Sequence, residues 1–241
     1  MRWDDVTTST NDTAMAMAAD GAPAWTLVAA GHQTEGRGRR GRTWMDEPGQ
    51  ALMCSVVLRP SLAPDRLGLV SIAGGVAMAE AARAIAGRDV RCKWPNDLLL
   101  DGAKVGGVLA ESEIVEGIVR HAVVGVGLNL SAPEDVPGAG GIGEVGVEDL
   151  LASYLLSLRR LIEGPDEISF RWAAVSDTLG RPVEATTVGG DAVRGVAVDL
   201  DETGALLIDT DAGRVRVASG DVHHLRSHAD RARLPGRGDA R

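Results

Sequence analysis

The chain is poor in cysteine and in aromatic residues. Among its 241 residues only Cys54 and Cys92 are cysteines, which gives neither a disulfide framework nor a metal-ligand spacing. We expect both to be small, buried, apolar residues. Aromatic residues make up 3% of the chain, so we expect the core to consist of alanine, valine and leucine.

Several common functional signatures are also missing. No stretch matches the GxxxxGK[ST] phosphate loop or the GxSxG of serine hydrolases, and no GxGxxG joins a strand to a helix with a following acid. The sequence shows no basic-then-apolar leader, and we expect no apolar run long enough to span a bilayer. A net charge of −9 argues against general nucleic-acid binding. We therefore expect a cytoplasmic protein that binds neither membrane nor nucleic acid.

One basic cluster interrupts this acidic chain. Residues 36–44 read GRGRRGRTW, with four arginines, three glycines and a tryptophan. Arginines bind phosphate or carboxylate oxygens in pairs, glycines allow close approach of a ligand, and an indole offers a stacking face. Such a run is also typical of disordered RNA-binding segments and of solvated loops. Because it is short and lies between two apolar segments, we interpret it as a loop that closes over a small anionic ligand.

Three small polar residues precede a helical stretch at residues 12–20. Ser9, Thr10 and Asn11 are all good N-caps, and capping is their simplest interpretation. The free N–H groups and positive dipole end of a helix start also suit an anion or a polar ligand head.

A glutamine follows the first predicted strand, residues 25–30. Gln33 carries a donor and an acceptor, so it suits recognition of an amide or ureido group. The neighbouring His32 is more simply a bystander than a catalytic base.

Two lysines lie in segments that we predict to be sheet. A single lysine there, Lys93 or Lys104, is most simply a salt-bridged surface residue, because an ammonium group resists burial. Together with the four arginines they predict a site that holds both a carboxylate and a nucleotide triphosphate. Asp97 and Asn129 are candidate ligands of Mg²⁺. Asp97 is equally a candidate to accept a proton from an attacking amine.

The element pattern predicts an α+β fold with a mixed or antiparallel central sheet and helices on one face. We expect a helix at residues 64–86, a hairpin turn at Asp101-Gly102, and further helices at residues 147–163 and 165–179. Short alternating strands after Gly180 predict a small SH3-like barrel. The expected divisions are a catalytic domain at 1–180, the barrel at 181–226 and a disordered tail at 227–241.

These motifs stand in the order and spacing found in biotin–protein ligases. The chain resembles that family from about residue 8 to residue 130 through GRGRRGRxW and KWPND, and resembles it further along by architecture. The resemblance implies a catalytic domain like that of class II aminoacyl-tRNA synthetases. It also implies an enzyme that joins biotin and ATP, with Mg²⁺, into biotinyl-5′-AMP. The biotinyl group then passes to one lysine of a biotin carboxyl carrier domain.

The resemblance implies residue roles as well. Biotin would be held by Ser9, Thr10, Asn11, Gln33, Gly36, Arg37, Gly38, Arg39, Lys104, Gly106 and Gly107. ATP or the adenylate would meet Arg37, Arg39, Arg42, Trp44, Lys93, Asn96, Lys104 and Asn129, with Asn129 as the metal ligand. Lys104, Lys93, Asp97 and Arg39 would be catalytic.

Three alternatives stand beside this interpretation. A lipoate–protein ligase shares the chemistry, a nucleic-acid-binding module would use the arginine loop, and a biotin sensor would bind without catalysis. We expect the type of ligase that lacks a DNA-binding domain, since little chain precedes the first motif. A homodimer through a free sheet edge is possible.

Overall fold

A computed structural model describes residues 1–187 and 189–225. The predicted tail and the end of the predicted barrel domain lie outside these residues. The helices are α1 (Thr10–Ala19), α2 (Gly68–Ala86), α3 (Val147–Glu163) and α4 (Ile168–Val175). The strands are β1 (Arg2–Asp4), β2 (Leu27–Ala30), β3 (Ala51–Leu58), β4 (Arg91–Lys93), β5 (Asp97–Leu100), β6 (Ala103–Val115), β7 (Ile118–Asn129), β8 (Pro182–Thr187), β9 (Ala192–Leu200), β10 (Leu206–Thr210), β11 (Gly213–Val217) and β12 (Gly220–His224).

Seven strands form the central sheet in the order β1-β2-β3-β7-β6-β5-β4. Only β1 and β2 run parallel, and the other neighbours are antiparallel. The mixed sheet predicted from sequence is thereby confirmed. Strand β1 had not been predicted, because three residues among polar neighbours give no periodic signal.

Helices cover both faces of the sheet, so the prediction of helices on one face was wrong. Cys54 and Val56 of β3 pack in one cluster with α2, α3 and α4. Val28 of β2 and Val57 of β3 pack on the opposite face with α1. All eight residues of β3 are buried. A strand covered on both faces loses the alternation that would have revealed the second helical layer.

Helix α2 is the core helix of the larger layer. The segment Pro64–Ala86 is long and apolar enough to cross a membrane by length and composition alone, contrary to our expectation. In the fold, 67% of the most apolar 18-residue stretch of this segment is buried. Its hydrophobic surface is therefore used for packing against the sheet, α3 and α4.

The hairpin between β5 and β6 forms where predicted. Asp101 and Gly102 both have positive φ, 51° and 83°. Two such residues in succession are what a two-residue type I′ turn requires. The turn brings Lys104 back beside Leu99 and so places the start of β6 next to β5.

The second predicted C-terminal helix is shorter than expected. A single 3₁₀ turn, Pro165–Glu167, leads into α4, which ends at Val175. The Ser176 hydroxyl accepts the backbone N–H groups of Thr178 and Leu179 at 3.0 and 3.1 Å. A side chain that binds nearby backbone donors competes with helical hydrogen bonding, which accounts for the early end of the helix.

Five antiparallel strands form the C-terminal sheet in the order β11-β10-β9-β8-β12. The short strands predicted after Gly180 are thereby confirmed. Trp94, buried to 2% exposure, joins the two sheets. Its indole N–H donates to the carbonyl of Gly204 at 3.1 Å, and its backbone N–H donates to Thr178 Oγ1 at 2.9 Å. The C-terminal sheet is therefore docked directly behind the KWPND segment.

Two adjacent glycines of α2 give a packing test. A Cβ at Gly74 would lie 2.8 Å from Val124 Cγ2 and 3.0 Å from Val108 Cγ1, closer than real contacts allow. We expect Gly74→Ala to lower the free energy of unfolding by about 1–2 kcal/mol, because stiff valines cannot move aside. The measurement is thermal unfolding. Gly75→Ala is the matched control, since its Cβ would meet Cys92 Sγ at an ordinary 3.4 Å. Equal loss in both variants would contradict the packing account.

Candidate active site

A pocket of about 720 Å³, including its open mouth, lies on the α1 face of the central sheet. The predicted site residues that line it are Ser9, Thr10, Asn11, Gln33, Arg37, Gly38, Arg39, Arg42, Trp44, Asn96, Asp97, Lys104 and Gly107. Four predicted residues, Gly36, Lys93, Gly106 and Asn129, are not in this lining. The pocket therefore brings together all the motifs of the sequence, though not every residue in them.

The start of α1 is held by Gln33 from the adjoining loop. Ser9 occupies the N-cap position with an extended backbone, but its side chain makes no capping hydrogen bond. Thr10 donates its backbone N–H and its hydroxyl to Gln33 Oε1, at 2.8 and 3.1 Å. A free helix N–H is thus satisfied from across the pocket, which fixes the Gln33 amide against α1.

A chain of hydrogen bonds continues beneath the helix start. The Ser55 hydroxyl lies 2.8 Å from Thr10 Oγ1 and 2.6 Å from Asn11 Oδ1. Asn11 donates through Nδ2 to Glu111 Oε2 at 2.8 Å. A Cβ at Gly125 would collide with Asn11 Oδ1. Glycine at that position of β7 therefore lets Asn11 sit flat on the sheet.

Trp44 packs on the next outward-facing glycine of β7. Its ring atoms lie 2.6–3.0 Å from the place where a Cβ of Gly127 would be. The indole is therefore in contact with bare backbone, and any larger residue at Gly127 would displace it. Trp44 Nε1 is buried and has no hydrogen-bond partner among the described residues. This nitrogen is a free donor at the pocket wall.

Within the arginine loop, residues 36–44, three guanidinium groups meet internal carboxylates. Arg37 lies 2.5 Å from Asp12 and 2.7 Å from Glu111. Arg40 and Arg42 both reach Asp221 of β12, at 3.2 and 2.5 Å. The loop is thereby attached to α1 and β6 on one side and to the C-terminal sheet on the other.

Arg39 is the arginine with the weakest internal partners. It reaches the carbonyl of Gly220 at 3.3 Å and Asn96 Oδ1 at 3.5 Å. Burial lowers the pKa of Arg39 below the usual arginine range, and the nearby Asp221 opposes that shift. Since a guanidinium remains protonated in proteins, Arg39 is a partly desolvated cation, and an anion in the pocket would compensate it.

The two lysines have different surroundings. Lys104 Nζ lies 2.5 Å from Asp97 Oδ1, and both line the pocket. Lys93 lies on β4, and burial together with the charge of Lys93 lowers the pKa of His224 in the C-terminal sheet. Lys93 is paired with Asp97 across β4 and β5, so it lies on the pocket side of the sheet, next to the lining.

Asn129 ends β7 beyond the pocket. Its Nδ2 donates to the carbonyl of Gly140 at 3.1 Å, and it lines a second small cavity with Asp46, Glu47 and Pro133. The other two predicted residues outside the pocket lining, Gly36 and Gly106, pack directly against residues of the pocket wall. A Cβ at Gly36 would meet the Trp44 carbonyl at 2.5 Å, and one at Gly106 would meet the Gly127 carbonyl at 2.6 Å.

Sequence reasoning missed Ser55, Glu111, Gly125, Gly127 and Asp221 as parts of this site. A signal for three of them, Glu111, Gly125 and Gly127, existed. Gly107, Leu109 and Glu111 alternate along β6 and face the pocket side, as do Gly125 and Gly127 along β7. Asp221 and Ser55 carry no comparable signal, because their partners are distant in sequence.

Comparison with known proteins places these features in a family. The profile of the biotin/lipoate A/B protein ligase family matches residues 3–129. The profile of the biotin protein ligase C-terminal domain matches residues 178–225.

Individual relatives agree with this match. The chain is 36% identical to the biotin--[acetyl-CoA-carboxylase] ligase of Mycobacterium tuberculosis, over 91% of this chain and 87% of that protein. It is 30% identical to the bifunctional ligase/repressor BirA of Bacillus subtilis, over 91% of this chain and 72% of that protein. Among solved structures it is similar to the Aquifex aeolicus biotin protein ligase in complex with biotin and ATP. That likeness has a TM-score of 0.75 and 27% identity, and it covers 93% of this chain and 98% of the other.

The attachment of the arginine loop to the C-terminal sheet gives a direct test. We expect Asp221→Asn to speed tryptic cleavage after Arg40 and Arg42 by about two- to fivefold, because an exposed ion pair contributes at most about 1 kcal/mol. Cleavage sites and rates are read by mass spectrometry under native conditions. The matched control is Asp209→Asn, which removes the partner of Arg214 in the same sheet, away from the loop. Equal acceleration in both variants would show general loosening of the C-terminal sheet instead.

Proposed function

The chain belongs to the biotin/lipoate A/B protein ligase family, and from this premise we propose that it is a biotin–protein ligase. It activates biotin with ATP to biotinyl-5′-AMP and transfers biotin to a lysine of a biotin carboxyl carrier domain. The observation that carries this proposal is a single pocket with two unlike ends. Thr10, Asn11, Gln33 and Ser55 form a hydrogen-bonded set of uncharged groups, which we call the uncharged end. Arg39 and Lys104 add positive charge to the same lining, which we call the charged end.

The uncharged end suits the ureido ring of biotin. A ureido group carries one carbonyl acceptor and two N–H donors, and the hydroxyl and amide groups of Ser9, Thr10, Asn11 and Gln33 match both kinds. The Gly107 backbone completes the wall. Gly36 and Gly106 contribute by the absence of a side chain, since a Cβ at either position would strike neighbouring backbone.

The charged end suits adenylate formation. A biotin carboxylate oxygen attacks the α-phosphorus of ATP, the bond from that phosphorus to the β-phosphate oxygen breaks, and pyrophosphate leaves. Two anions must first be brought together, and Lys104 with Arg37 and Arg39 offsets their repulsion. Fixed cations stabilise the charge that develops on phosphate oxygens better than mobile water does.

The remaining predicted residues serve the nucleotide. Trp44 offers its indole beside the adenylate, and Asn96 borders Arg39. Arg42 approaches the phosphates from the side of the C-terminal sheet, and Lys93 approaches them from β4 beside Asp97. Asn96 is itself oriented, because its Nδ2 donates to the Val108 carbonyl at 2.9 Å.

Mg²⁺ fits this site as an ion carried by the nucleotide. The described part of the chain contains no group of three or more His, Cys, Asp or Glu side chains that could hold a metal. Mg²⁺ at nucleotide sites is typically held by phosphates, water and one or two protein oxygens. Asn129 has its amide nitrogen engaged with Gly140, so Oδ1 is the oxygen it would offer. The ion would screen phosphate charge.

Transfer to the carrier requires a neutral amine. The acceptor lysine attacks the acyl carbon, the bond to the AMP oxygen breaks, and AMP leaves. Asp97 is placed to take the proton once Lys104 turns towards the ligand, because the two are paired in the structure. We further propose a cytoplasmic enzyme without nucleic-acid binding. In the arginine loop, Arg37, Arg39 and Arg42 line the pocket and Arg40 pairs with Asp221. A homodimer would use a free sheet edge.

The deciding experiment is ATP–pyrophosphate exchange by the purified protein with Mg²⁺. Biotin, lipoate and no acid are compared. We expect exchange with biotin and none with lipoate. Lipoate-dependent exchange would instead identify the protein as a lipoate–protein ligase. No exchange with either acid from folded protein would contradict an adenylating function.

The two lysines provide a matched pair of variants. We expect Lys104→Gln to lower kcat/KM for exchange by about 10²–10³-fold, the usual effect of removing one charge-stabilising group. Lys93 lies outside the pocket lining, so we expect Lys93→Gln to lower kcat/KM by about tenfold or less, mainly through a higher KM for ATP. Steady-state exchange kinetics measure both. A larger loss at Lys93 than at Lys104 would place the reacting phosphorus next to β4, outside the pocket lining.

Arg39 gives a test of adenylate retention. We expect Arg39→Gly to release biotinyl-5′-AMP and to biotinylate bystander proteins, since the desolvated guanidinium is removed from the loop. The measurement is the biotin found on serum albumin relative to that on a carrier domain. Unchanged acceptor selectivity in a folded variant would count against the role of the loop.

A further inference from the structure

A buried carboxylate lies just beyond the arginine loop, outside every role assigned above. The side chain of Asp46 is 0% exposed. An ionised carboxylate resists burial unless a cation or hydrogen-bond donors meet it. His32 meets it, with Nδ1 2.9 Å from Asp46 Oδ2. The backbone N–H of Gln33 points to the same oxygen at 3.4 Å.

This pair joins the two ends of the loop. His32 follows β2, and its carbonyl accepts the Thr7 N–H at 3.0 Å, which ties it to the segment before α1. Asp46 comes two residues after Trp44, whose ring is packed on Gly127. Closing a chain at its base reduces the conformations open to the residues between. The contact therefore limits where both ends of the arginine loop leave the sheet.

The pair also acts on the pocket through its neighbours. Gln33 uses its backbone N–H towards Asp46 and its side-chain Oε1 towards Thr10. Asp46 itself does not line the main pocket. It is thus placed to orient Gln33 and Trp44 without touching the ligand.

We propose that the His32–Asp46 pair is a clasp that positions Gln33 and Trp44 and thereby keeps biotinyl-5′-AMP under the arginine loop until the carrier lysine arrives. The inference rests on the proposed function and names residues that determine its selectivity. Adenylate that escapes reacts with any amine, which attacks the acyl carbon while AMP leaves. The clasp residues are positioning residues.

The test measures how fast preformed biotinyl-5′-AMP leaves the protein, by chase with excess unlabelled biotin. We expect Asp46→Asn and His32→Ala each to raise the release rate about tenfold, as loss of a hydrogen bond to a charged group would. The double variant should release no faster than either single variant, because both break one contact. His32→Gln, which keeps a donor, should restore part of the retention. The KM for biotin should rise more than kcat falls.

A second histidine–carboxylate pair supplies the matched control. His121 is buried and its Nδ1 lies 3.5 Å from Glu113 Oε2 in the β6–β7 hairpin, outside the pocket lining. Glu113→Gln should leave the release rate unchanged. Thermal midpoints are recorded for every variant. Lower midpoints with unchanged release in Asp46→Asn and His32→Ala would overturn the clasp, as would additive effects in the double variant. No biotin-dependent exchange by the unmodified protein would overturn the proposed function together with the clasp.

Discussion

The site depends on cations that the protein neutralises with its own carboxylates. Lys104 pairs with Asp97, Arg37 with Asp12 and Glu111, and Arg42 with Asp221. In an acidic chain these contacts allow several positive side chains to converge without strong mutual repulsion. In the proposed function, arriving carboxylate and phosphate groups would take the place of these internal partners. Arg39, half-buried and weakly paired, would gain most from an arriving anion.

The central sheet makes this convergence possible because it is packed on both faces. Helix α2 and its neighbours stabilise one face, which leaves the other free for α1 and the pocket. On that face β7 presents Gly125 and Gly127, so Asn11 and Trp44 rest directly on backbone. The start of α1 is then fixed by Gln33 and Ser55. The uncharged and charged ends of the pocket are thus set by elements far apart in sequence.

Features of the fold and the site that are formed by neighbouring residues of the chain could be predicted from the sequence, and features formed by distant residues could not. The arginine loop, KWPND and the Asp101-Gly102 turn are contiguous, and their residue chemistry alone predicted an anion site and a hairpin. The second helical layer was missed because β3 is buried throughout and shows no alternation. Asp221 was missed because its role arises only when distant elements meet, whereas the alternation along β6 carried a signal for Glu111 that the sequence analysis did not use. Asn129 and Lys93 have the right chemistry for a nucleotide site, yet the fold places them beside the main pocket.

The most direct test of the account is hydrogen–deuterium exchange with and without a non-hydrolysable biotinyl-5′-AMP analogue. If the pocket holds the adenylate as proposed, amides of residues 36–44 and of the first turn of α1 become strongly protected together. The far side of the C-terminal sheet should not change. Protection confined to other segments, or a saturated complex in which residues 36–44 exchange as fast as in the free protein, would contradict it.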